Sequence, residues 1–367
     1  MSEVIVCPVT HEPLIEVDLQ QFVHTLGNTI YRRAANRASV DNVELPATSL
    51  LLSDGRGAYP IVDGVPILMA PEMLTSASAF ELIDTDLDPY REAYIEMDFY
   101  NSEASKAESG LKGANPLEIV GPISERTGSL GPEWLDATYD VSSQADVYRY
   151  ISPIEGKRVL QFGGKGVQAV KFLLAGARES WLVTPMLQEA IFARDLANSL
   201  AVGDRFHSAV GIGEELPFRS GAFDVVYSGG CIHHTITNRA FPEIQRVLRP
   251  GGRFAAWEPS RAPMYALGTK IFGKREMPLA GNREIGVVCR PMDPGTLAPL
   301  WDTFQTAKVV YHGTFTRYPL IALGKFGFKP KRKTLERITR IDDKIASKVS
   351  LRRFGSGVAL LAESADS

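Results

Sequence analysis

Two stretches of this sequence combine residues that could hold a ligand with residues that could act on it. The first is Gly163-Gly164-Lys165-Gly166, which follows the apolar segment RVLQF and precedes GVQAVKFLLAGA. Glycines at such a turn let the backbone approach a ligand closely, and the N-terminus of the following helix favours a negative group. The turn matches neither GxGxxG nor GxxxxGK[ST], so it does not predict a dinucleotide or ATP site.

The second stretch is the histidine pair His233-His234, which comes after the apolar segment FDVVYSGG. An imidazole can accept a proton from a hydroxyl group as that group attacks an electrophilic carbon. We therefore interpret His233 and His234 as candidate catalytic residues, although either of them could instead cap or pack locally. Cys231 is predicted to be a small buried residue because no activating partner is evident. The sequence predicts no metal site.

The elements that must position these residues alternate between strand and helix from about residue 151 to 262. RVLQF, SWLVTP, RFHSAV, FDVVYSGG and GRFAAWEP read as continuous apolar strands, which is typical of buried parallel sheets. GVQAVKFLLAGA and MLQEAIFARDLANSLAV read as the helices between them. The pattern predicts a doubly wound α/β sheet with helices on both faces, and FGSGVALLAE is predicted to be its closing strand. Ligands of such sheets bind at the carboxyl ends of the strands.

A longer stretch, GIGEELPFRSGAFDVVYSGGCIHHTITNRAFPEIQRVLRPGGRFAAWEP, resembles the core of class I S-adenosylmethionine-dependent methyltransferases, in particular the ubiquinone/menaquinone-biosynthesis type. The residues that carry the resemblance are Glu214-Glu215-Leu216-Pro217-Phe218, Phe223-Asp224-Val225-Val226, His233-His234, Arg246-Val247-Leu248-Arg249-Pro250-Gly251-Gly252 and Glu258-Pro259. The resemblance implies a Rossmann-like class I methyltransferase sheet over residues 151–262. It also implies S-adenosyl-L-methionine (SAM) as the cofactor and a small-molecule methyl acceptor near His233 and His234.

The resemblance also implies which residues contact the cofactor, and three acids are missing from that set. The implied contacts are Gln161, Gly163, Gly164, Gly166, Thr184, Gly213, Glu214 and Ser228. Gln161, Leu182 and Ile212 occupy the positions at which the family carries acids. The amide of Gln161 and the hydroxyl of Thr184 can still form hydrogen bonds, and the backbone amide of Gly213 or Glu214 could meet an adenine ring. Lys165 could pair with the carboxylate of the ligand or point outward.

Two functions remain open on these observations. The first is a SAM-dependent methyltransferase that acts on a small acceptor, through oxygen. The second is a non-catalytic methyltransferase-like protein whose SAM binding is weakened or lost and which acts as a binding or partner subunit. Loss of one hydrogen bond to a charged group costs about 1.5–3 kcal/mol, so three lost acids could abolish useful affinity.

Residues 1–72 are predicted to form a small β-rich domain. They resemble the zinc-ribbon-like domain that occurs free as a methyltransferase activator and fused to bacterial methyltransferases. Cys7-Pro8 and the segment YPIVDGVP carry the resemblance, but the family's second cysteine falls at Thr10 and no cysteine pair follows. A structural zinc site needs about four nitrogen or sulfur ligands, and Cys7 and His11 are the only nearby candidates. We therefore expect a metal-free domain held by its own core.

The remaining segments carry weaker patterns. Residues 73–150 read as a helical and loop-rich linker, and its aromatic residues could pack in the core or form a lid over a ligand. Residues 263–367 read as an acceptor-side segment, a basic helix and the closing strand. The helix TLERITRIDDKIASKV is predicted to pack against the sheet through one apolar face, formed by Leu335, Ile338, Ile341, Ile345 and Val349.

Composition and charge limit the class of protein. The chain has 367 residues, of which 44% are hydrophobic and 23% charged, which is typical of a soluble globular protein. It has no apolar run near the ~20 residues that span a bilayer, and its three cysteines are far apart, so we expect a cytoplasmic location. Residues 325–353 carry 11 basic and 3 acidic residues and could contact an anionic ligand or a membrane surface. A nucleic-acid partner is not expected, because the rest of the chain is acidic.

Overall fold

The fold is described from a computed structural model of the chain, in which two sheets are present. The described residues are 3–18, 47–53, 57–69, 92–93, 115–120, 141–261, 288–313, 315–316, 319–320, 327, 331–346, 351 and 354–365. Over these ranges, no helix has both the length and the apolar character needed to cross a bilayer.

The larger sheet has seven strands, and it contains every strand predicted from the apolar runs. Its strands are β5 (Arg158–Phe162), β6 (Glu179–Thr184), β7 (Phe206–Val210), β8 (Phe223–Gly229), β9 (Leu248–Pro259), β10 (Thr306–His312) and β11 (Gly357–Glu363). Their order across the sheet is β10-β11-β9-β8-β5-β6-β7. Strands β5 to β9 run parallel to one another, and β11 is antiparallel to both β9 and β10. The predicted doubly wound α/β sheet and its closing strand are confirmed.

Helices cover both faces of this sheet, as the sequence predicts. They are α1 (Pro116–Val120), α2 (Val141–Ile151), α3 (Val167–Leu174), α4 (Leu187–Ser199), α5 (Thr237–Val247), α6 (Pro294–Thr303) and α7 (Arg332–Ala346). Helices α2, α3 and α4 bury their apolar residues in one core, around Tyr148, Phe172 and Tyr227. Helices α5 and α6 contribute to the core on the opposite face, which includes Phe241 and Phe254. Burial on both faces is the reason that the strands are apolar throughout.

The smaller sheet belongs to the N-terminal segment, which is β-rich as predicted. It consists of β1 (Ile15–Asp18), β2 (Ala47–Ser53), β3 (Gly57–Val62) and β4 (Val65–Pro66), all antiparallel and in chain order.

The expectation that this sheet has a core of its own is wrong. Ile5, Tyr59 and Leu68 are buried in the same core as Trp181 and Phe218 of the large sheet. Backbone hydrogen bonds join the two parts as well, from the amide of Val6 to the carbonyl of Pro217 (3.0 Å) and from the amide of Leu68 to the carbonyl of Val210 (2.8 Å). The N-terminal strands therefore share the core of the large sheet.

The two candidate zinc ligands of this segment lie in different environments. The thiol of Cys7 is buried and lies 3.2 Å from the hydroxyl of Tyr59. Nε2 of His11 instead lies 3.9 Å from a carboxylate oxygen of Glu243 on α5. Cys7 therefore packs as a small core residue.

The basic helix forms as predicted, and its predicted apolar face is buried in part. Leu335 is buried, whereas Ile341 is 62% exposed, and the buried face also includes Thr339 and Asp342. The carboxylate of Asp342 accepts hydrogen bonds from the backbone amides of residues 315 (3.1 Å) and 316 (2.9 Å). These bonds hold Asp342 on the inward side of the helix, so Leu335 and Ile338 pack inward as predicted while Ile341 lies in solvent. Val349 lies outside the described residues.

A buried histidine joins the C-terminal elements to the sheet. Nδ1 of His312 on β10 lies 2.8 Å from Asp343 on α7, and Nε2 lies 3.1 Å from Asp146 on α2. Burial disfavours the charged imidazole, but the hydrogen bonds and charges of Asp146 and Asp343 outweigh burial and raise the pKa of His312 to about 9. Protonated His312 therefore links three elements.

We expect replacement of His312 by asparagine to change how stability depends on pH. Because the pKa of His312 is higher in the folded than in the unfolded chain, its protonation stabilises the fold fully below about pH 6.5. This contribution is lost as the pH rises through about 9. Wild type should therefore exceed His312→Asn by about 3 kcal/mol more at pH 6 than at pH 10. Urea unfolding of both proteins at several pH values measures this difference, and a constant difference would contradict it.

Candidate active site

A cavity of about 310 Å³ opens at the carboxyl ends of β5, β6, β7 and β8. It lies where the strand order reverses, since β6 and β8 lie on opposite sides of β5. Its lining residues are Glu92, Ala93, Phe162, Gly163, Gly164, Lys165, Val183, Pro185, Met186, Glu189, Gly211, Ile212, Gly213, Glu214, Gly229, Gly230, Cys231, His234 and Thr235. The volume suits a ligand the size of a small cofactor.

The glycine turn between β5 and α3 forms one wall of the cavity. Gly163 and Gly164 have a φ of +73°, a conformation that glycine adopts without strain. A Cβ atom at Gly163 would lie only 2.7 Å from Sγ of Cys231, so the opposite wall leaves no room for a side chain. The amide of Gln161 supports the turn from behind, since Nε2 donates to the carbonyl of Gly163 (2.8 Å) and Oε1 accepts from the amide of Ala169 (2.7 Å).

The structure divides the predicted site residues into two groups. Gly163, Gly164, Gly213, Glu214 and His234 line the cavity, whereas Gln161, Gly166, Thr184, Ser228 and His233 lie behind its walls. Behind the walls, the hydroxyl of Thr184 donates to Glu189 (3.1 Å). Oγ of Ser228 is buried without a hydrogen-bond partner among the described residues. The second group therefore supports the cavity rather than lining it.

The cavity wall contains Glu214, which the sequence analysis includes among the cofactor contacts, and Glu189, which it does not. Leu182 packs in the apolar core and does not line the cavity. Glu189, which sequence reasoning missed, lines the cavity from the first turn of α4 and is buried. Glu214 is also buried; burial raises the pKa of Glu214 to about 7, and its carboxylate accepts from the amide of Ile236 (2.7 Å). The sequence does contain a signal for Glu189, because an acid stands in the mostly apolar segment LQEAIFA at the start of α4.

Lys165 contributes to the lining from an exposed position. The cavity has its volume of about 310 Å³ with the Lys165 side chain in place, so this side chain does not fill it. A cation at the rim can pair with an acidic group of a ligand while its stem remains in solvent.

The histidine pair is held by a buried carboxylate that also organises the loop before it. Glu258, near the end of β9, is 1% exposed. It accepts hydrogen bonds from the amides of Cys231 (3.1 Å) and Ile232 (2.9 Å) and lies 2.8 Å from Nδ1 of His233. Nδ1 of His234 lies 2.8 Å from the carbonyl oxygen of Val288. Each histidine thus has Nδ1 bound to an acceptor, which places the hydrogen on Nδ1 and makes Nε2 the basic nitrogen.

Cys289 completes a group that sequence reasoning missed and that we call the His–Cys cluster: His233, His234 and Cys289. Sγ of Cys289 lies 3.9 Å from both ring nitrogens of His234. Burial disfavours the thiolate, but the hydrogen bonds and charges of His233 and His234 in their protonated form outweigh burial and lower the pKa of Cys289 to about 6. Cys289 lies in no motif, so nothing in the sequence places it beside the histidines.

An ion pair next to this cluster brings part of the predicted linker to the cavity. The guanidinium of Arg290 donates to Glu92 (2.8 Å), which lines the cavity, and the amide of Arg290 donates to the carbonyl of His233 (2.6 Å). Residues 92–93 are thus part of the cavity wall. A lid formed by segment 73–150 stays a prediction. Tyr148 of segment 73–150 is buried in the core. The aromatic residues of 73–140 lie outside the described residues.

Comparison with known proteins relates the cavity region to methyltransferases. Residues 157–256 match the family described as "Methyltransferase domain". A ubiquinone/menaquinone biosynthesis C-methyltransferase from Dinoroseobacter shibae is 32% identical over 140 residues, which are 37% of this chain and 52% of that protein. A tRNA U34 carboxymethyltransferase from Methylococcus capsulatus is 35% identical over 109 residues, which are 28% of this chain and 32% of that protein. The chain thus spans about half the length of the first of these relatives.

Solved structures give more distant similarity. Geranyl diphosphate C-methyltransferase from Streptomyces coelicolor, in complex with S-adenosyl-L-homocysteine, is 19% identical, with a TM-score of 0.42 over 60% of this chain and 78% of that one. A sarcosine dimethylglycine methyltransferase from Galdieria sulphuraria is 12% identical, with a TM-score of 0.43 over 67% of this chain and 93% of that one. The family match begins at residue 157, so it does not support the zinc-ribbon-like resemblance of residues 1–72. SAM is the cofactor that the methyltransferase domain implies.

Proposed function

We propose that this chain is a SAM-dependent methyltransferase that acts on a small-molecule acceptor, at an oxygen atom. One observation carries the proposal: the cavity at the point where the strand order reverses lies almost entirely within the residues that match the methyltransferase domain. The C-methyltransferase relatives support methylation of a small molecule. The choice of oxygen rests on the histidine in the cavity wall.

The residues of the cavity fit such a cofactor despite the missing acids. The left-handed glycines Gly163 and Gly164 leave room for a ligand to contact the main chain. Glu189 and Glu214 place carboxylates in the wall, where they can accept hydrogen bonds from hydroxyl or amino groups and favour a positively charged ligand. Lys165 at the rim can pair with a carboxylate of the ligand. We therefore assign the polar contacts to Glu189, Glu214 and main-chain groups.

The residues near the acceptor can position it and remove its proton. Bound SAM would supply an electrophilic methyl group, and most of the acceleration in such a displacement comes from alignment of the reactants. Nε2 of His234 is the basic nitrogen at the cavity wall, because Nδ1 donates to the carbonyl of Val288. It can take the proton of an acceptor hydroxyl as the new bond forms. Phe162, Val183 and Met186 make much of the wall apolar and exclude water.

We expect Gly163→Ala to weaken SAM binding by at least about tenfold, since a loss of 1.4 kcal/mol corresponds to that factor. The new Cβ would lie 2.7 Å from Cys231, and the residue would keep a φ of +73°, so the turn must shift. Gly156→Ala is the matched control, because it has a φ of +70° and nothing within 4 Å of its Cβ position. Isothermal titration of SAM into each protein measures the effect.

A second measurement separates the two functions considered for this chain. The wild-type protein is incubated with methyl-labelled SAM and a small-molecule extract, and label in a compound of low mass supports the proposal. Wild type that binds no SAM at millimolar concentration would favour the non-catalytic protein. If Gly163→Ala and Gly156→Ala bind SAM with equal affinity, the glycine turn is not part of the SAM site.

A further inference from the structure

We infer that the His–Cys cluster is a zinc site whose open coordination position faces the cavity. His233, His234 and Cys289 each offer one ligand atom, and these atoms all lie within 4.8 Å of one another. In a tetrahedral zinc site, bonds of about 2.0 Å to nitrogen and about 2.3 Å to sulfur place such atoms roughly 3.5 Å apart. Sγ of Cys289 lies 3.9 Å from His234, so small side-chain rotations are enough to bring the ligands to bonding distance.

The hydrogen bonds behind the cluster orient both imidazoles for a metal. A carboxylate oxygen of Glu258 lies 2.8 Å from Nδ1 of His233, and the carbonyl oxygen of Val288 lies 2.8 Å from Nδ1 of His234. A carbonyl and a carboxylate can only accept, so in both rings Nδ1 donates and Nε2 carries the lone pair. Histidines that bind metals are held in the same way, by a carboxylate or a backbone carbonyl on the nitrogen away from the metal.

The composition and place of the cluster favour zinc in a site that acts on a ligand. Two imidazoles and one thiolate form a mixed nitrogen and sulfur set, which suits Zn²⁺ rather than Mg²⁺ or Ca²⁺. Three protein ligands leave the fourth position of a tetrahedral ion open, as in catalytic zinc sites. His234 lines the cavity beside Cys231 and Thr235, so that position is accessible to a molecule in the cavity.

The site would take a hydroxyl or thiol group of the acceptor, a step that rests on the proposed function. When that group binds the ion, a metal–oxygen or metal–sulfur bond forms and its proton is released to the solvent. The anion that remains is a stronger nucleophile than the neutral group. The ion would then promote loss of the acceptor's proton, which is the role that Nε2 of His234 has in the metal-free protein. His234 would act as a zinc ligand rather than as a base.

Zinc binding by the full-length protein tests this inference directly and without SAM. The protein is stripped with a chelator and titrated with Zn²⁺ in competition with a chromophoric chelator, and we expect one ion per chain. Cys289→Ser and His234→Gln should each lower the zinc affinity by about a hundredfold. Cys231→Ser is the control, since this half-buried cysteine lies in the same wall but outside the cluster, and its zinc affinity should equal that of wild type.

Cobalt provides an independent readout of the ligands. Co²⁺ in the wild-type site should show an absorption band from thiolate to metal, and Cys289→Ser should lack it while its circular dichroism stays that of wild type. The inference is overturned if wild type binds no zinc or if Cys289→Ser keeps both the zinc and the band. It is also overturned if Cys231→Ser loses as much affinity as Cys289→Ser. Because zinc and SAM are titrated separately, zinc binding without SAM binding would contradict only the proposed methyltransferase.

Discussion

Replacing Glu258 with alanine is expected to destabilise the protein by about 4 kcal/mol and to abolish the proposed methyl transfer, because it breaks a buried charged network. The carboxylate accepts from the backbone amides of Cys231 and Ile232 and holds the imidazole of His233. Alanine would leave these donors buried without an acceptor, and each unsatisfied group costs about 1–3 kcal/mol. The loop that forms the acceptor side of the cavity would lose the group that shapes it.

Urea unfolding of wild type and Glu258→Ala measures this loss. Glu363→Ala is a suitable control, since this half-buried acid ends β11 of the same sheet, and its cost should stay below about 1 kcal/mol. Glu258→Gln keeps the shape and one acceptor oxygen, so we expect an intermediate loss. A stability of Glu258→Ala equal to that of the Glu363 variant would show that the carboxylate does not hold the loop.

A second large effect is expected at Gly166, the residue that joins the glycine turn to α3. A Cβ atom there would lie 2.5 Å from Cβ of Ala193 on α4 and 2.8 Å from Cδ2 of Leu182 on β6. Both neighbours are fully buried, so neither can move without disturbing the core. Gly166→Val should therefore cost about 4 kcal/mol, from a left-handed backbone at φ +72° together with overpacking.

The control for Gly166→Val is Gly156→Val, which has nearly the same backbone but open space around it. Gly156 has a φ of +70° and no atom within 4 Å of its Cβ position, so the variant should lose only the backbone contribution of about 1–2 kcal/mol. The difference between the two variants isolates the contact with α4 and β6. Equal losses in thermal unfolding would contradict the close packing of the turn.

The fold could be predicted because its signals are local. Each parallel strand is an apolar run that is buried on both faces, and each helix follows its strand within a few residues. The burial of Asp342 on α7 could not be predicted in the same way. The inward position of Asp342 depends on the amides of residues 315 and 316, which come from a loop elsewhere in the chain. The spacing of apolar residues alone predicts that Ile341 is buried and that Asp342 is exposed.

The candidate site could be predicted only in part, for a similar reason. Gly163 and His234 follow strands directly, so the rule that ligands bind at strand ends places them in the cavity. Glu189 enters the cavity from a helix, and Cys289 reaches His234 from a segment far along the chain. Long-range contacts of this kind leave no pattern in a single sequence. The family's acids are absent at Gln161, Leu182 and Ile212, and the cavity wall has the carboxyl groups of Glu189 and Glu214 instead.

The hydrogen bonds between the first residues and the large sheet bear on how the chain acquires its structure. The amide of Val6 donates to Pro217 and the amide of Leu68 donates to Val210, so both ends of the described N-terminal segment are attached to the end of β7 and the loop that follows it. The N-terminal segment and the large sheet share one core, so either of them alone would expose apolar side chains of that core. The smallest cooperative folding unit is therefore larger than residues 157–256, which match the methyltransferase family, and the N-terminal strands belong to that unit.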